Sequence, residues 1–204
     1  MKAINYYSKD KRRKQTQFSE FEFLFPIMTD QCQKECMERL KEAERPSCLC
    51  NKDVPDNLNL ITFGQYSDLC DVMTGKDAET TKIFYEFARI VLDISATDLG
   101  KSSVFDVFGF GTWVCKEVEK ITKLFNSIKV NHSSEEIQAG VKSLQFGIFG
   151  ILDWYARRMG ITDQNVINDI PWIRIYTCLK NDTDESAYQR RLHKIYNDKI
   201  NKKK

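Results

Sequence analysis

The sequence predicts an all-α fold, a compact multi-helix bundle of about six or seven helices preceded by an extended N-terminal arm and a single short strand. Three observations predict it. Apolar residues recur at three- and four-residue spacing through most of the chain after residue 25, as helices with one buried face require. Capping boxes stand ahead of two of these stretches, Thr62 with Gln65 and Ser133 with Glu136. The 204 residues are 42% apolar and 29% charged, ordinary values for a chain that can bury its own core. The organisation expected is an arm and strand over residues 1–25 and a helical domain over 26–204.

The arm carries six basic residues within its first 17 positions, Arg12 and Arg13 among them, and no periodicity. Phe18 to Phe25, FSEFEFLF, then sets Phe21, Phe23 and Phe25 on one side and Glu20 and Glu22 on the other, the alternation of a half-buried strand. Such a strand pairs with another subunit, or serves as a phenylalanine hook on the domain's own helices. The hook is the preferred reading.

Asp30 is predicted to cap a helix reaching about Glu44, with Met28, Cys32, Cys36 and Leu40 recurring four apart. Pro46 and residues 47–59 read as a loop. Thr62 opens a short helix with Tyr66, Leu69, Cys70 and Met73 on one face and Gly75 at its end. Asp77 to Ile94 and Val104 to Ile128 are amphipathic helices. Gly109 and Gly111, in the second of these, read as permits for close helix approach rather than a phosphate cradle, since neither a preceding strand nor a phosphate-loop lysine accompanies them.

Ser133 is expected to open a central helix, apolar over most of its circumference through Val141, Leu144, Ile148, Leu152 and Tyr155. Gly160 stops it, Thr162 opens a short second helix and Pro171 ends that one. After a further apolar segment, Asp182 with Glu185 is predicted to cap a terminal helix carrying Tyr188, Leu192, Ile195, Tyr196 and Ile200, with basic residues toward its end complementing the helix dipole.

Function classes narrow next. Net charge is only +2, so a general nucleic-acid field is absent. No apolar run of about 18 residues suggests a membrane span, and the basic start lacks the apolar run of a signal peptide. In the cytosol-like compartment this implies, the seven cysteines are expected as reduced thiols.

Residues 144–180 outline a helix-turn-helix, with Ala156, Gly160 and Val166 at suitable spacing and Gln164, Asn165 and Asn168 as base readers. Asp163 and Asp169 repel phosphate and Pro171 cuts the second helix short, so a structural helix corner is preferred to a DNA reader. Cys32, Cys36, Cys48 and Cys50 could hold zinc, but their spacing is poor and packed thiols are preferred; no metal site or cofactor is expected. His132 and His193 lack a carboxylate and nucleophile in any recognised order, and no enzyme is expected. The aromatic load, 13 Phe, 8 Tyr and 3 Trp, exceeds the needs of a small helical core and suits interface anchors. The interface residues predicted are Arg12, Arg13, Phe18, Phe21, Phe23, Phe25, Trp172 and Tyr196.

Two segments resemble small structural proteins of tailed bacteriophages, the crAss-like and related gut phages especially. One is Asp56 to Met73, DNLNLITFGQYSDLCDVM. The other, Gly140 to Tyr196, carries Gln-Phe-Gly, Leu-Asp-Trp-Tyr-Ala, Gly-Ile-Thr-Asp-Gln-Asn-Val-Ile, Leu-Lys-Asn-Asp and Tyr-Gln-Arg-Arg-Leu. Together they span less than half of the chain. The resemblance implies a virion protein of the neck, head-tail connector or tail, assembled in the host cytoplasm into a ring around the DNA passage, or an assembly factor for that structure. It implies no catalytic residue. The partners expected are further copies of the chain and other virion proteins, near packaged DNA without sequence-specific binding and with no membrane. The alternatives from other classes are a helix-turn-helix DNA-binding regulator and a cytosolic assembly chaperone.

Overall fold

A computed structural model describes residues 16–75, 80–130, 132–144 and 146–202. The basic arm, Arg12 and Arg13 included, lies outside them. The chain is all-α, as the periodicity predicts. Its helices are α1 (Phe18–Leu24), α2 (Asp30–Lys41), α3 (Phe63–Thr74), α4 (Thr80–Leu92), α5 (Ala96–Gly100), α6 (Val104–Ser127), α7 (Ser134–Gln138), α8 (Gly147–Met159) and α9 (Trp172–Asn201), with short 3₁₀ turns between some of them. The only sheet among the described residues is a hairpin of β1 (Cys48–Leu49) and β2 (Lys52–Asp53). Two compact units are formed, Met1–Leu58 with Asp68–Glu119, and Asn59–Ser67 with Lys120–Lys204.

In the first unit the expected strand at Phe18 to Phe25 is corrected to a helix, α1, followed by a 3₁₀ turn. The segment satisfies two periods at once. Phe18, Phe21 and Phe25 also stand three and four apart, and a seven-residue helix, too short to persist alone, is held by the burial of Phe18 and Phe21. Their rings meet Phe84 and Phe108 edge-on, at 5.8 Å for Phe18–Phe84 and 5.5 Å for Phe21–Phe108. Each buried phenylalanine contributes about 1.5–3 kcal/mol. The segment is thus the hook on the chain's own helices. Its one extended residue, Gln17, bridges Ser103, with Phe18 N–H donating to Ser102 O at 2.9 Å and Val104 N–H donating to Thr16 O at 3.1 Å.

The Tyr85 hydroxyl donates to the Glu22 carboxylate at the edge of this hook. Partial burial, then the bond itself, then the carboxylate charge push the Tyr85 pKa well above its ordinary value. A raised acid keeps its stabilising proton below the unfolded pKa, about 10, and that stability is lost as pH climbs through the folded value. Urea midpoints are therefore expected to fall more steeply above about pH 10 for the native chain than for Glu22→Gln, and to run parallel below it.

Thr29, not Asp30, occupies the cap of α2; Asp30 is already helical, where its carboxylate still favours the N-terminal end of the dipole. The expected loop after Pro46 contains the hairpin. Cys50 and Asn51 take φ of 49° and 62°, the left-handed pair of a type I′ turn. No glycine announces it, although Asn tolerates this region better than most residues. Lys52 Nζ then donates to the carbonyls of Leu92 and Asp93 at 2.7 and 2.6 Å, supplying partners at the end of α4.

The glycines of α6 are permits for close approach, as predicted. A Cβ on Gly109 would sit 2.0 Å from the carbonyl oxygen of Glu44, and one on Gly111 would sit 2.2 Å from the Phe84 ring.

In the second unit both capping boxes are present. Gln65 accepts from Thr62 N–H at 2.9 Å while Thr62 Oγ1 accepts from Gln65 N–H at 3.1 Å, and Ser133 and Glu136 exchange the equivalent bonds. The long buried helix expected after Ser133 is corrected. It ends at Gln138, Gly140 turns left-handed at φ 85°, and α8 starts only at Gly147, itself at φ 54°. Apolar spacing ran on across these glycines because it does not register the backbone. Gly160 stops α8 as expected, at φ 65°.

The short second helix is a 3₁₀ run, Gln164–Asp169, capped by Asp163 rather than by Thr162. Pro171 begins α9 instead of merely breaking the chain, since a proline carbonyl can accept at a cap while its ring needs no N–H. The predicted cap at Asp182 is also corrected: α9 runs 30 residues without interruption. Asn181, Asp182 and Thr183 have weak helix propensity, but each costs only about 0.7 kcal/mol or less, and no Gly or Pro stands among them.

Candidate interaction surface

The second unit is anchored where its chain segments pair. Phe63 N–H donates to Ile170 O at 2.8 Å and Trp172 N–H to Ile61 O at 3.2 Å, an isolated bridge that ties the start of α3 to the start of α9. Around it the Phe125 ring meets Phe63, Tyr66, Trp172 and Tyr176, with centroids between 5.5 and 6.2 Å apart. Tyr155, Ile167 and Ile175 are buried in the same unit.

From this anchor α9 runs along α8 and α7. Arg158 binds Asp182 through two nitrogens at 2.9 and 3.0 Å, and Arg190 binds Glu136 at 3.1 Å. The Ser133 amide, with Arg190 and His132, holds the Glu136 carboxyl below its usual range. Both pairs are open to solvent, which screens them, so they orient the helix more than they stabilise it. A groove of about 440 Å³ lies between α9, α8 and the segment that follows α6, lined by Lys129, Trp154, Arg190, Arg191 and Lys194 among others.

What this leaves outward is apolar. Leu144, Phe146 and Phe149 are 58%, 66% and 64% exposed before and within α8, and Tyr188, Ile195, Tyr196 and Ile200 on α9 are between 52% and 57% exposed. Only Tyr155 and Ala156 of α8 are buried, so the segment expected at the centre of the core carries a solvent-facing apolar side instead. Sequence periodicity missed this because it reports an apolar face without saying which chain covers it. The glycines at 140, 147 and 150, crowded into that stretch, were the available signal.

Of the predicted interface residues, Phe18 and Phe21 are buried in the first unit and Trp172 in the second, each committed to its own core. Phe25 is half-buried with its ring 4.9 Å from Phe21. Phe23, 76% exposed, and Tyr196 remain available at the surface.

Other chemistry is sparse. Among the described residues no group of three or more His, Cys, Asp or Glu side chains is placed to share a metal ion. Burial pushes the Cys36 and Cys115 thiols up, away from the reactive thiolate. The second element of the helix-turn-helix outline is six residues of 3₁₀ helix, with Gln164 donating to Asp153 at 3.2 Å. No helix among the described residues is long and apolar enough to cross a membrane. No protein-family model matches this chain, and no curated protein or solved structure matches it either.

Proposed function

We propose that this chain is a non-enzymatic structural subunit of a tailed-phage virion, assembling as a neck, head-tail connector or tail ring through protein–protein contacts. The observation that carries the assembly reading is the apolar surface of the second unit, presented both by Leu144, Phe146 and Phe149 and by α9. Apolar residues scattered singly need no explanation, but rows of them rimmed by charge mark surfaces that another chain covers. The resemblance of Asp56 to Met73 and Gly140 to Tyr196 to small phage structural proteins supports the particle as the place of assembly.

The test is the mass of the purified protein together with imaging of native particles. Multi-subunit species in solution and the chain's presence in finished particles are expected. A lone monomer that no particle contains would sink the reading, and an oligomer lost before maturation would make the chain an assembly chaperone instead.

A further inference from the structure

The C-terminal half of α9 presents an apolar face to solvent. At about 100° per residue, Tyr188, Leu192, Ile195, Tyr196 and Ile200 fall on one arc about 140° wide. Arg190, Arg191 and Lys194 lie on the opposite side, where they line the groove with Lys129 and Trp154. An ordinary surface helix turns such an arc to the core, whereas here Tyr188, Ile195, Tyr196 and Ile200 are exposed and Leu192 is half-buried. Every residue from His193 to Lys202 is exposed. These turns gain little from tertiary packing, and helical turns of this length are marginal in water without it.

Two charges sit within the apolar arc. Glu185 stands at its N-terminal end and Lys199 at its C-terminal end, both exposed, each seven residues from Leu192. Tyr188 and Tyr196 are likewise placed symmetrically, four residues to either side of Leu192. Parallel pairing of two such helices sets glutamate on glutamate and lysine on lysine. Antiparallel pairing about Leu192 does the opposite. It sets Glu185 beside Lys199 of the second copy, Tyr188 beside Tyr196 of the second copy and Leu192 beside itself, and the two-fold makes each unlike contact twice.

We propose that the occupant of this face is a second copy of the chain, docked antiparallel on α9 with the two-fold axis at Leu192. The contact runs from Glu185 to Lys199, about 21 Å of helix. It does not rest on the virion reading, since exposure and charge on α9 carry it alone.

The experiment uses the purified full-length chain, its association followed by sedimentation equilibrium, with circular dichroism to verify helicity. Glu185→Lys alone and Lys199→Glu alone each set like charges together at both symmetric contacts. Each is expected to weaken dimerisation about tenfold or more, and the double reversal is expected to restore it to within about threefold of the native chain. Both sites are exposed, so folding is not at stake. Single reversals that leave association unchanged, a double reversal that fails to rescue, or a native chain that stays monomeric at all concentrations would each overturn the proposal. Absence of the chain from phage particles would defeat the virion reading and leave this result standing.

Discussion

Gly109→Ala is expected to lower the stability of the first unit by about 2–3 kcal/mol, although alanine is the better helix former by about 1 kcal/mol. The added methyl would lie 2.0 Å from the Glu44 carbonyl oxygen and 2.8 Å from its carbonyl carbon. The obstacle is backbone, so no side-chain rotation relieves it. Either α6 or the segment after α2 must shift by more than an ångström-scale adjustment, with loss of packing around Phe108 and Leu40, both buried. Gly75→Ala is the matched control, because a Cβ there comes no closer than 3.4 Å to any neighbour. Urea denaturation followed by circular dichroism should separate the two clearly. Equal midpoints for both variants would mean that α6 does not pack against residue 44.

Trp172→Ala is expected to cost more, about 3–5 kcal/mol. Trp172 is the largest fully buried side chain among the described residues, and the second unit has few others of comparable size. Its loss opens a cavity beside Phe125 and Tyr176 and removes the packing that fixes the first turn of α9. A deficit of this size is a large share of the stability of an ordinary domain, about 5–15 kcal/mol. Hydrogen exchange is the suitable readout, with protection falling in α9 and at Phe63, whose amide pairs beside it. Trp172→Phe should retain most of that protection. Unchanged exchange in Trp172→Ala would show that the aromatic cluster is not what holds the helix start.

Sequence made the helical class and much of its detail legible where a local signal and the backbone agree. Thr62 with Gln65 and Ser133 with Glu136 are such cases, because a capping box is chemistry between neighbours and needs no tertiary partner. Gly109 and Gly111 were legible for a related reason: glycine inside a strong helical pattern implies that something else comes close.

The failures have physical causes too. FSEFEFLF fits periods of two and of three to four equally, and only the partners of Phe18 and Phe21 decide between them. The hairpin turn at Cys50 and Asn51 lacks the glycine by which such turns are recognised. Asp182 and Glu185 have the composition of a cap, but a cap requires that the chain leave the helix, and nothing there makes it do so. For the candidate surface the difficulty is deeper. Leu144, Phe146 and Tyr196 are written in the sequence as apolar residues at helical spacing, no different from core positions, and their exposure emerges only once the chain's own core is complete.

The bridge between Gln17 and Ser103 has a consequence for synthesis. As the chain leaves the ribosome, Phe18 and Phe21 emerge well before Phe84, Ser102, Val104 and Phe108, which later receive them. The aromatic hook therefore waits exposed, since contacts distant along the chain close late and nascent apolar segments are open to aggregation in the interval. Glu20 and Glu22, set between the rings, are the charges that such a segment needs during that wait. Charge interleaved with aromatic residues lowers the tendency of such a segment to self-associate, so the acidic residues that made it look like a strand also favour its solubility until α4 and α6 have been made.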